Sequence, residues 1–298
     1  MHVVISGGTG LAGSILTRKL TEKGHTVTIL TRNSENKQNE PSVQYVNWLD
    51  GSHPEKSLEN VDAIVNLAGA SISKAWTRDH KKAILNSRID ATRECVRIMK
   101  SLPKAPSVFF STSAIGYYGI SETKTFDESS RPAEPYFLQE VCMEWEKEAE
   151  KADDLTRLVI GRMGLILDKS TGALPKMMLP YRLGFGGPIG NGKQWYSWVH
   201  HEDAAEMILY ALLNEQCRGV MNLTAPEPLQ MKDFGKTMGT VLKRPHWLPV
   251  PGFMLRLMLG EMSDLVVKGQ RVVPTQTEQF GYTYHYPTLE SALDDIFK

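Results

Sequence analysis

The sequence predicts an α/β fold built on a doubly wound parallel sheet. Three observations lead to this prediction. Short apolar segments alternate with longer segments of helical periodicity, a glycine-rich turn follows the first apolar segment, and the fourth apolar segment is almost uninterrupted. Strands that are covered on both faces have this continuous apolar character. The alternation of strands and helices is typical of a parallel sheet with crossover helices.

The first predicted strand, 2–6, ends at a turn with three glycines spaced three apart. Gly7, Gly10 and Gly13 precede a helical pattern, and a second strand follows. The first glycine permits the tight turn, the second lets the backbone approach a pyrophosphate, and the third lets the helix pack closely on the strand. The helix N-terminus offers free N–H groups to phosphates. A turn without a ligand could contain the same glycines, but this order of elements favours a Rossmann-like dinucleotide site.

The end of the second strand, 26–31, indicates which dinucleotide binds. An NAD-preferring site places Asp or Glu here, to accept hydrogen bonds from the ribose hydroxyls. This chain has Thr31 followed by Arg32, with no carboxylate before Glu35. A guanidinium group can hold a 2′-phosphate through two charge-assisted hydrogen bonds. The sequence therefore predicts NADP, the alternative being that Arg32 is only a solvated charge at a strand end.

The same alternation continues through the first half of the chain and then changes. Strands are predicted at 43–48, 61–68, 107–113 and 156–167, with helices at 77–100 and 135–151. Beyond this point we predict helices at 202–214, 232–242 and 252–260 and a strand at 220–224. The methionine-rich helix at 252–260 is expected to be buried or to line a pocket. We predict a Rossmann-like NADP-binding domain over 1–171 and a smaller C-terminal α+β substrate lobe over 172–298, some of whose elements can return to the sheet.

Composition and charge exclude several classes of protein. The 34 basic and 34 acidic side chains leave no net charge to attract nucleic acid or an anionic membrane. No apolar run approaches the roughly 20 residues that span a bilayer, and the first strand leaves no room for a signal peptide. Three widely spaced cysteines and eight histidines show no disulfide or metal-ligand pattern. We expect a cytoplasmic protein with a small-molecule substrate and no metal, nucleic-acid or membrane partner.

Several motifs together resemble a known family. The glycine turn and the segments 62–69 and 111–119 resemble the extended short-chain dehydrogenases/reductases, the sugar-nucleotide epimerase type. The segments 86–88, 162–164, 186–192 and 197–200 resemble those of an atypical epimerase-like subfamily with its own C-terminal region. The resemblance covers essentially the whole chain. It implies NADP(H) binding, and it allows a homodimer, since flanking helices pair many relatives.

The resemblance also implies a catalytic set, which this chain has only in part. In the superfamily a Ser or Thr orients the substrate, and a Tyr whose pKa is lowered by a Lys exchanges a proton with it. Ser113 matches the serine, at the end of the fifth strand. When Glu146 is aligned with the acidic residue of the family, Leu138 and Cys142 occupy the Tyr and Lys positions. The usual Tyr-x-x-x-Lys pair is therefore missing.

Other side chains could move the proton. Tyr136 with Glu140 has the tyrosine spacing, but a carboxylate would raise the pKa of a phenol. Of the neighbours Tyr117 and Tyr118, one should face the cleft while the other packs, and Tyr117 is the preferred candidate. Cys142 is an alternative, although a cysteine among apolar neighbours is usually an inert core residue.

Two further regions are assigned to ligands. Small groups at Leu67, Ala68 and Gly69 let an adenosine or ribose lie close to the backbone, and the resemblance favours a cofactor contact for Arg88 over a solvated helix charge. The predicted cofactor-binding residues are Gly7, Gly10, Leu11, Ala12, Gly13, Thr31, Arg32, Leu67, Ala68, Gly69 and Arg88.

The glycine-rich segment 184–198 ends in aromatic residues that could stack on a substrate. A well-packed crossover anchored by Trp195, Tyr196 and Trp198 is the alternative. His200, just beyond, is a candidate acid or base, or else a structural hydrogen-bonding group.

Together these features predict an NADP(H)-binding, epimerase-like oxidoreductase that acts on an unidentified small polar or nucleotide-linked substrate. Ser113 would orient the substrate and Tyr117 would transfer the proton. The missing Tyr-x-x-x-Lys pair motivates an alternative from another class, a catalytically silent NADP(H)-binding module that controls a protein partner.

Overall fold

A computed structural model describes residues 1–133 and 136–298 and confirms the predicted fold class. The strands are β1 (His2–Ser6), β2 (Thr26–Thr31), β3 (Val43–Asn47), β4 (Ala63–Asn66), β5 (Val108–Ala114), β6 (Thr125–Phe126), β7 (Arg157–Met163), β8 (Leu165–Leu167), β9 (Trp195–Tyr196), β10 (Trp198–His200), β11 (Gly219–Leu223), β12 (Leu229–Gln230) and β13 (Arg271–Val272). The helices are α1 (Leu11–Glu22), α2 (Arg78–Ser101), α3 (Phe137–Glu150), α4 (Leu174–Arg182), α5 (His201–Leu213), α6 (Met231–Leu242), α7 (Gly252–Leu259), α8 (Asp264–Val267), α9 (Thr275–Gln279) and α10 (Leu289–Phe297). Short 3-10 helices lie at Pro54–Ser57, Ile115–Tyr118 and Gly260–Ser263.

Seven parallel strands form the central sheet in the order β11-β7-β5-β4-β1-β2-β3. From β1 the chain first builds outward through β2 and β3, and it then returns to the other side of β1 to add β4, β5, β7 and β11. The order therefore reverses between β1 and β4. In open α/β sheets the crevice beyond the carboxyl ends of the strands at such a reversal is where ligands bind.

Apolar side chains cover both faces of this sheet. One core cluster packs α1 and α5 against it, with Leu16 and Ile208 fully buried. The opposite cluster packs α2 and α3, with Ile98 and Ala149 fully buried. A third cluster joins α4, α6 and α10 in the C-terminal part of the chain. Burial on both faces explains the near-continuous apolar sequence of strands such as β4.

Side-chain hydrogen bonds join β1, β4 and α2 where the strand order reverses. The buried Ser6 hydroxyl, at the end of β1, donates to Asn66 Oδ1 at the end of β4, 2.6 Å away. Asn66 Nδ2 in turn donates to Thr92 Oγ1 on α2 at 2.8 Å. These bonds satisfy polar groups that would otherwise be buried without partners. They hold β1, β4 and α2 in register beneath the crevice.

Two sequence predictions need correction. The single strand predicted at 156–167 is wrong, because the chain leaves the sheet at Gly164 and β8 then pairs with β10. A Cβ atom at Gly164 would lie 2.7 Å from the Ser197 carbonyl oxygen, so only glycine allows this crossing. Burial of the helix predicted at 252–260 is also wrong, since α7 contains no buried residue and Leu257 is 87% exposed, whereas its alternative role of lining a pocket stays a prediction.

The limits of the other predicted helices and strands lie close to the observed ones, except where they fall outside the described residues. The helix predicted from Pro135 begins outside the described residues, and its described part is α3. The strand predicted at 220–224 is β11, which extends the central sheet beside β7. The division of the chain at 171/172 stays a prediction. No helix in residues 1–133 or 136–298 has the length and apolar character needed to cross a membrane.

Gly7 and Gly24 provide a matched test of the glycine turn. Both have positive φ, +70° and +79°, which costs about 1–2 kcal/mol for an alanine. A Cβ atom at Gly7 would lie 2.7 Å from the Leu67 carbonyl carbon, whereas one at Gly24 would meet nothing within 4 Å. We expect Gly7→Ala to lower the free energy of unfolding clearly more than Gly24→Ala, as measured by urea denaturation. Equal losses would contradict the close approach of the turn to β4.

Candidate functional site

The N-terminus of α1 lies at the reversal point with its backbone donors free. The N-cap residue, Gly10, has no side chain that could form a capping hydrogen bond. The first turn of α1 contains no acidic residue. Among the described residues, the N–H groups of Leu11, Ala12 and Gly13 have no hydrogen-bond acceptor. Free donors and the positive end of the helix dipole suit a phosphate group.

Close backbone approaches build the floor of this site. Gly7 lies against the chain at Leu67 and Ala68, which follows β4. A Cβ atom at Gly13 would come 2.5 Å from the Gly7 carbonyl oxygen, so the first turn of α1 packs directly on the glycine turn. Gly10 is exposed. The turn therefore leaves room for a ligand at the positions where the sequence predicts contact.

Arg88 lies at this site and does not extend into solvent as a helix-surface charge would. Its Nη1 atom donates to the carbonyl oxygens of Ala70, at 3.2 Å, and Ile84, at 2.9 Å. Its guanidinium carbon lies 5.1 Å from the centre of the Trp145 ring. A Cβ atom at Gly69 would lie 3.0 Å from the same carbon. Arg88 thus supports the chain after β4 with a partly buried positive charge.

Arg32 lies at the opposite side of the glycine turn, beyond the end of β2. It is exposed and forms no hydrogen bond or ion pair with the described residues. The preceding Thr31 is half-buried, and its hydroxyl lies 3.4 Å from both the N–H and the carbonyl oxygen of Asn33. The guanidinium group is therefore free to pair with an anion.

Ser113, near the end of β5, belongs to a buried ionic network. Its hydroxyl donates to Glu146 Oε1 on α3 at 2.6 Å. Arg162 on β7 donates to the same carboxylate through Nε at 2.9 Å and Nη2 at 2.8 Å. Burial alone would lower the pKa of Arg162, but the hydrogen bonds and charge of Glu146 raise it above its usual value. The three side chains are at most 5% exposed, so this network joins β5, α3 and β7 without solvent.

The two neighbouring tyrosines differ in burial, and packing of Tyr118 agrees with one half of the prediction. Tyr118 is fully buried and donates to Asn222 Oδ1 at 2.7 Å. Tyr117 is half-buried, and the Arg162 guanidinium carbon lies 3.4 Å from its ring centre. A guanidinium at this distance stacks on the ring and attracts its negative face. Tyr118 therefore packs, while Tyr117 is held beside Ser113 and Arg162.

Cys142 and Leu138, which occupy the positions of the missing catalytic pair, lie beside the 3-10 helix after β5. A Cβ atom at Gly116 would be 3.5 Å from Cys142 Sγ and 3.6 Å from Leu138 Cβ. Burial, with the charge of Glu146 acting in the same direction, raises the pKa of Cys142 to about 12. This thiol is an inert proton donor or nucleophile at neutral pH.

The same point is approached by a phenol that the sequence argument set aside. Tyr136, the N-cap residue of α3, brings its hydroxyl within 3.2 Å of that Gly116 Cβ position. Sequence spacing alone placed Tyr136 beside the carboxylate of Glu140. The backbone conformation of the cap directs its ring towards Gly116 instead, which no spacing rule could show.

His200 has a structural role. It is fully buried, and its Nδ1 accepts the Glu202 N–H at 3.2 Å, which caps α5. Burial, with the neighbouring His201 acting in the same direction, lowers the pKa of His200 to about 4. A neutral capping imidazole follows from this geometry, in agreement with the structural alternative.

The aromatic segment before His200 is mainly packed. Trp198 is fully buried and donates to the Glu227 carbonyl oxygen, and Tyr196 donates to that of Val266. Trp195 is half-buried, with the Arg271 guanidinium carbon 5.1 Å from its ring centre. Of the three rings, Trp195 is the one that retains exposed surface for a ligand.

The segment between α7 and α8 is joined to the β4 and β5 side of the crevice. Lys81, near the start of α2, forms an ion pair with Glu261, just after α7. The same ammonium group lies 5.1 Å from the ring centre of Phe137, at the start of α3. Lys81 therefore contacts both the segment after α7 and the first turn of α3.

Sequence comparison agrees with this arrangement. The model of the NAD dependent epimerase/dehydratase family matches residues 3–223, and the model of a domain of unknown function, DUF1731, matches residues 250–296. The epimerase family protein YfhF of Bacillus subtilis is 46% identical over 298 residues, covering 99% of this chain and 98% of its own.

Structure comparison gives the same family. A crystal structure of the human epimerase family protein SDR39U1 (isoform 2) with NADPH superposes with a TM-score of 0.90 at 33% identity, covering 99% of both chains. UDP-glucuronic acid 4-epimerase from Bacillus cereus, in complex with NAD, has a TM-score of 0.77 at 15% identity, covering 99% of this chain and 98% of its own. At that identity the second match shows a shared fold alone.

The buried pair of Glu146 and Arg162 can be tested through stability. Glu146→Leu leaves the Arg162 charge buried without a partner, so we expect a loss of about 3–5 kcal/mol in the free energy of unfolding. The double variant Glu146→Leu/Arg162→Met removes both charges and should recover most of that loss, as measured by urea denaturation. A double variant whose loss equals the sum of the single losses would contradict a coupled pair.

Proposed function

Because the chain belongs to the NAD-dependent epimerase/dehydratase family, we propose that it is an NADP(H)-dependent, epimerase-like oxidoreductase with an unidentified small polar or nucleotide-linked substrate. The observation that carries this proposal is the uncapped N-terminus of α1 at the reversal of strand order, with a free arginine at the end of β2. The human relative whose structure contains NADPH supports the same cofactor. Three buried free cysteines support a reducing compartment, the cytoplasm.

The residues present fit a dinucleotide. The free N–H groups of Leu11, Ala12 and Gly13 would hold the pyrophosphate, for which the exposed Gly10 leaves room, while Gly7 lets the turn pack against Leu67 and Ala68. Arg32, beside Thr31, would pair with the 2′-phosphate. On the other side of the turn, Leu67, Ala68, Gly69 and Arg88 would contact the remainder of the cofactor.

The end of β5 would then hold the reacting group of the substrate. The reduced nicotinamide supplies a hydride when it is bound. Ser113 would orient the substrate, but its single proton is already donated to Glu146. Its oxygen can therefore accept a hydrogen bond from a substrate hydroxyl, whereas it cannot donate one to a carbonyl oxygen. Tyr117, held by Arg162, is the sequence candidate for proton transfer beside it.

Arg32 should determine the preference for NADPH over NADH. A charge-assisted hydrogen bond contributes about 1.5–3 kcal/mol, so Arg32→Ala should weaken NADPH binding about tenfold or more and leave NADH binding nearly unchanged. Fluorescence titration with both nucleotides measures this.

Lys23→Ala provides a matched control for Arg32→Ala, since it removes one exposed positive charge at the far end of α1. It should leave the affinity for both nucleotides unchanged. Equal binding of NADPH and NADH by the wild-type protein would contradict the proposed cofactor.

Ser113→Ala and Tyr117→Phe should separate turnover from cofactor binding. With a panel of small aldehydes, ketones, quinones and keto sugars, we expect each variant to lower NADPH oxidation by about 100-fold and to leave the Kd for NADPH nearly unchanged. Unchanged turnover in both variants would remove these residues from the mechanism. A wild-type protein that binds NADPH but oxidises it with no compound of the panel would contradict the proposed activity.

A further inference from the structure

The direction of the dinucleotide follows from the ends of the sheet. Arg32 marks the 2′-phosphate end beyond β2, and the pyrophosphate lies at α1. A ligand that straddles the reversal must therefore place its other half over β4 and β5. The residues at the carboxyl end of β5 and the start of α3 thus surround the nicotinamide half of the proposed site.

Three side chains meet at that place, around Gly116. The Tyr136 hydroxyl, Cys142 Sγ and Leu138 Cβ lie 3.2, 3.5 and 3.6 Å from the position that a Cβ atom of Gly116 would take. Hydrogen bonding with Ala114 and Ser113 and the charge of Arg88 each lower the pKa of this thiol, against the larger opposite effect of burial. The Tyr136 hydroxyl therefore lies in the same neighbourhood as Ser113 and the proposed cofactor residue Arg88.

The donors at this place are few. Ser113 gives its proton to Glu146, and the thiol of Cys142 is held neutral by burial. The ring of Tyr117 is stacked on the Arg162 guanidinium group. Among the described residues neither tyrosine hydroxyl forms a hydrogen bond, but that of Tyr136 is the one beside Cys142 and Leu138, the positions of the missing pair. The Tyr136 carbonyl accepts the N–H groups of Gln139 and Glu140. Tyr136 thus has a fixed backbone and an O–H group without a partner in residues 1–133 and 136–298.

We propose that Tyr136 is the proton donor of this site, and that the substrate is a carbonyl compound reduced there, with Ser113 and Tyr117 orienting it. This inference rests on the proposed NADP(H)-dependent function. The carbonyl carbon receives the hydride as the C=O π bond breaks, and its oxygen takes the Tyr136 proton. The resulting phenolate regains a proton from water. The products are an alcohol and the oxidised nicotinamide.

The surroundings of Tyr136 keep its hydroxyl proton in place until the reaction occurs. Burial raises the pKa of Tyr136, and Cys142 and Asp264 of α8 act in the same direction. The phenol is therefore protonated at neutral pH. A raised pKa also makes it a weaker acid, so the proton moves only to the more basic alkoxide oxygen that hydride transfer to the carbonyl carbon creates.

Ser113 indicates the kind of group that accompanies the carbonyl. Its proton is donated to Glu146, so its oxygen can accept a hydrogen bond from a substrate hydroxyl. A hydroxylated carbonyl compound, such as a keto sugar, fits this acceptor. Asp264 is not available for the same role, because its Oδ2 accepts a hydrogen bond from Lys268 and its buried Oδ1 forms an ion pair with Arg256.

The first test observes Tyr136 without turnover. In protein labelled with [¹³Cζ]tyrosine, Tyr136→Phe identifies the resonance of this residue. Saturation with NADPH should shift that resonance, because the nicotinamide half would lie beside the ring. The Tyr210 hydroxyl, which donates to the Phe280 carbonyl oxygen far from the site, should stay unshifted. A Tyr136 resonance that NADPH leaves in place would overturn the inference.

The second test measures NADPH oxidation with a keto sugar and with phenanthrenequinone. Tyr136→Phe should lower turnover by about 100-fold or more, while the Kd for NADPH and the urea midpoint stay close to wild type. The control Tyr210→Phe should retain full turnover. If the Tyr136→Phe variant keeps wild-type activity, the role of Tyr136 is overturned, whereas the proposed function is not. An inactive wild-type protein would overturn the proposed function, and the proton donor with it.

Discussion

The carboxylate of Glu146 is the group on which the geometry of the candidate site depends. It accepts one hydrogen bond from Ser113 and two from Arg162, so a single buried charge joins β5, α3 and β7. Charged groups are costly to bury unless they are paired and hydrogen-bonded, and here both oxygens of the carboxylate are occupied. The bond from Ser113 also fixes the orientation of its hydroxyl, whose proton points to Glu146. In the proposed site, a structural ion pair would therefore decide which hydrogen bonds a substrate can form with Ser113.

The cofactor half of the site depends on a different constraint, the absence of side chains. Gly7 and Gly13 bring β1, α1 and the chain after β4 so close together that a Cβ atom would collide with backbone. The first N–H groups of α1 have no intrahelical acceptor, as at the start of any helix, and the N-cap residue Gly10 has no side chain that could accept from them. Unpaired donors are costly when a structure buries them and useful when a ligand reaches them. The exposed position of Gly10 keeps them accessible.

The sequence predicts those parts of the molecule that local pattern determines. The glycine turn, the apolar strands and most helix limits follow from residue type and periodicity, and Arg32 could be located from its place after β2. Glu146 was recognised only through its alignment, and the motif that contains Arg162 had no assigned role. Their pairing depends on the neighbouring positions of α3 and β7, which no local pattern contains. The exposure of α7 could not be predicted for a similar reason, since an apolar sequence does not show whether other elements cover it.

Tyr136 shows how a residue at the N-cap of a helix can supply a phenol that the helix itself lacks. The superfamily pattern would place a phenol at position 138 inside α3, where this chain has leucine. Tyr136 lies two residues earlier, at the N-cap, and extended cap geometry aims a side chain differently from a helical one. Its hydroxyl reaches the end of β5 because residue 116 is a glycine, and a Cβ atom there would crowd it at 3.2 Å. Gly116 and Tyr136 are thus complementary, and the site that lacks the motif still contains a phenol with no hydrogen bond to the described residues.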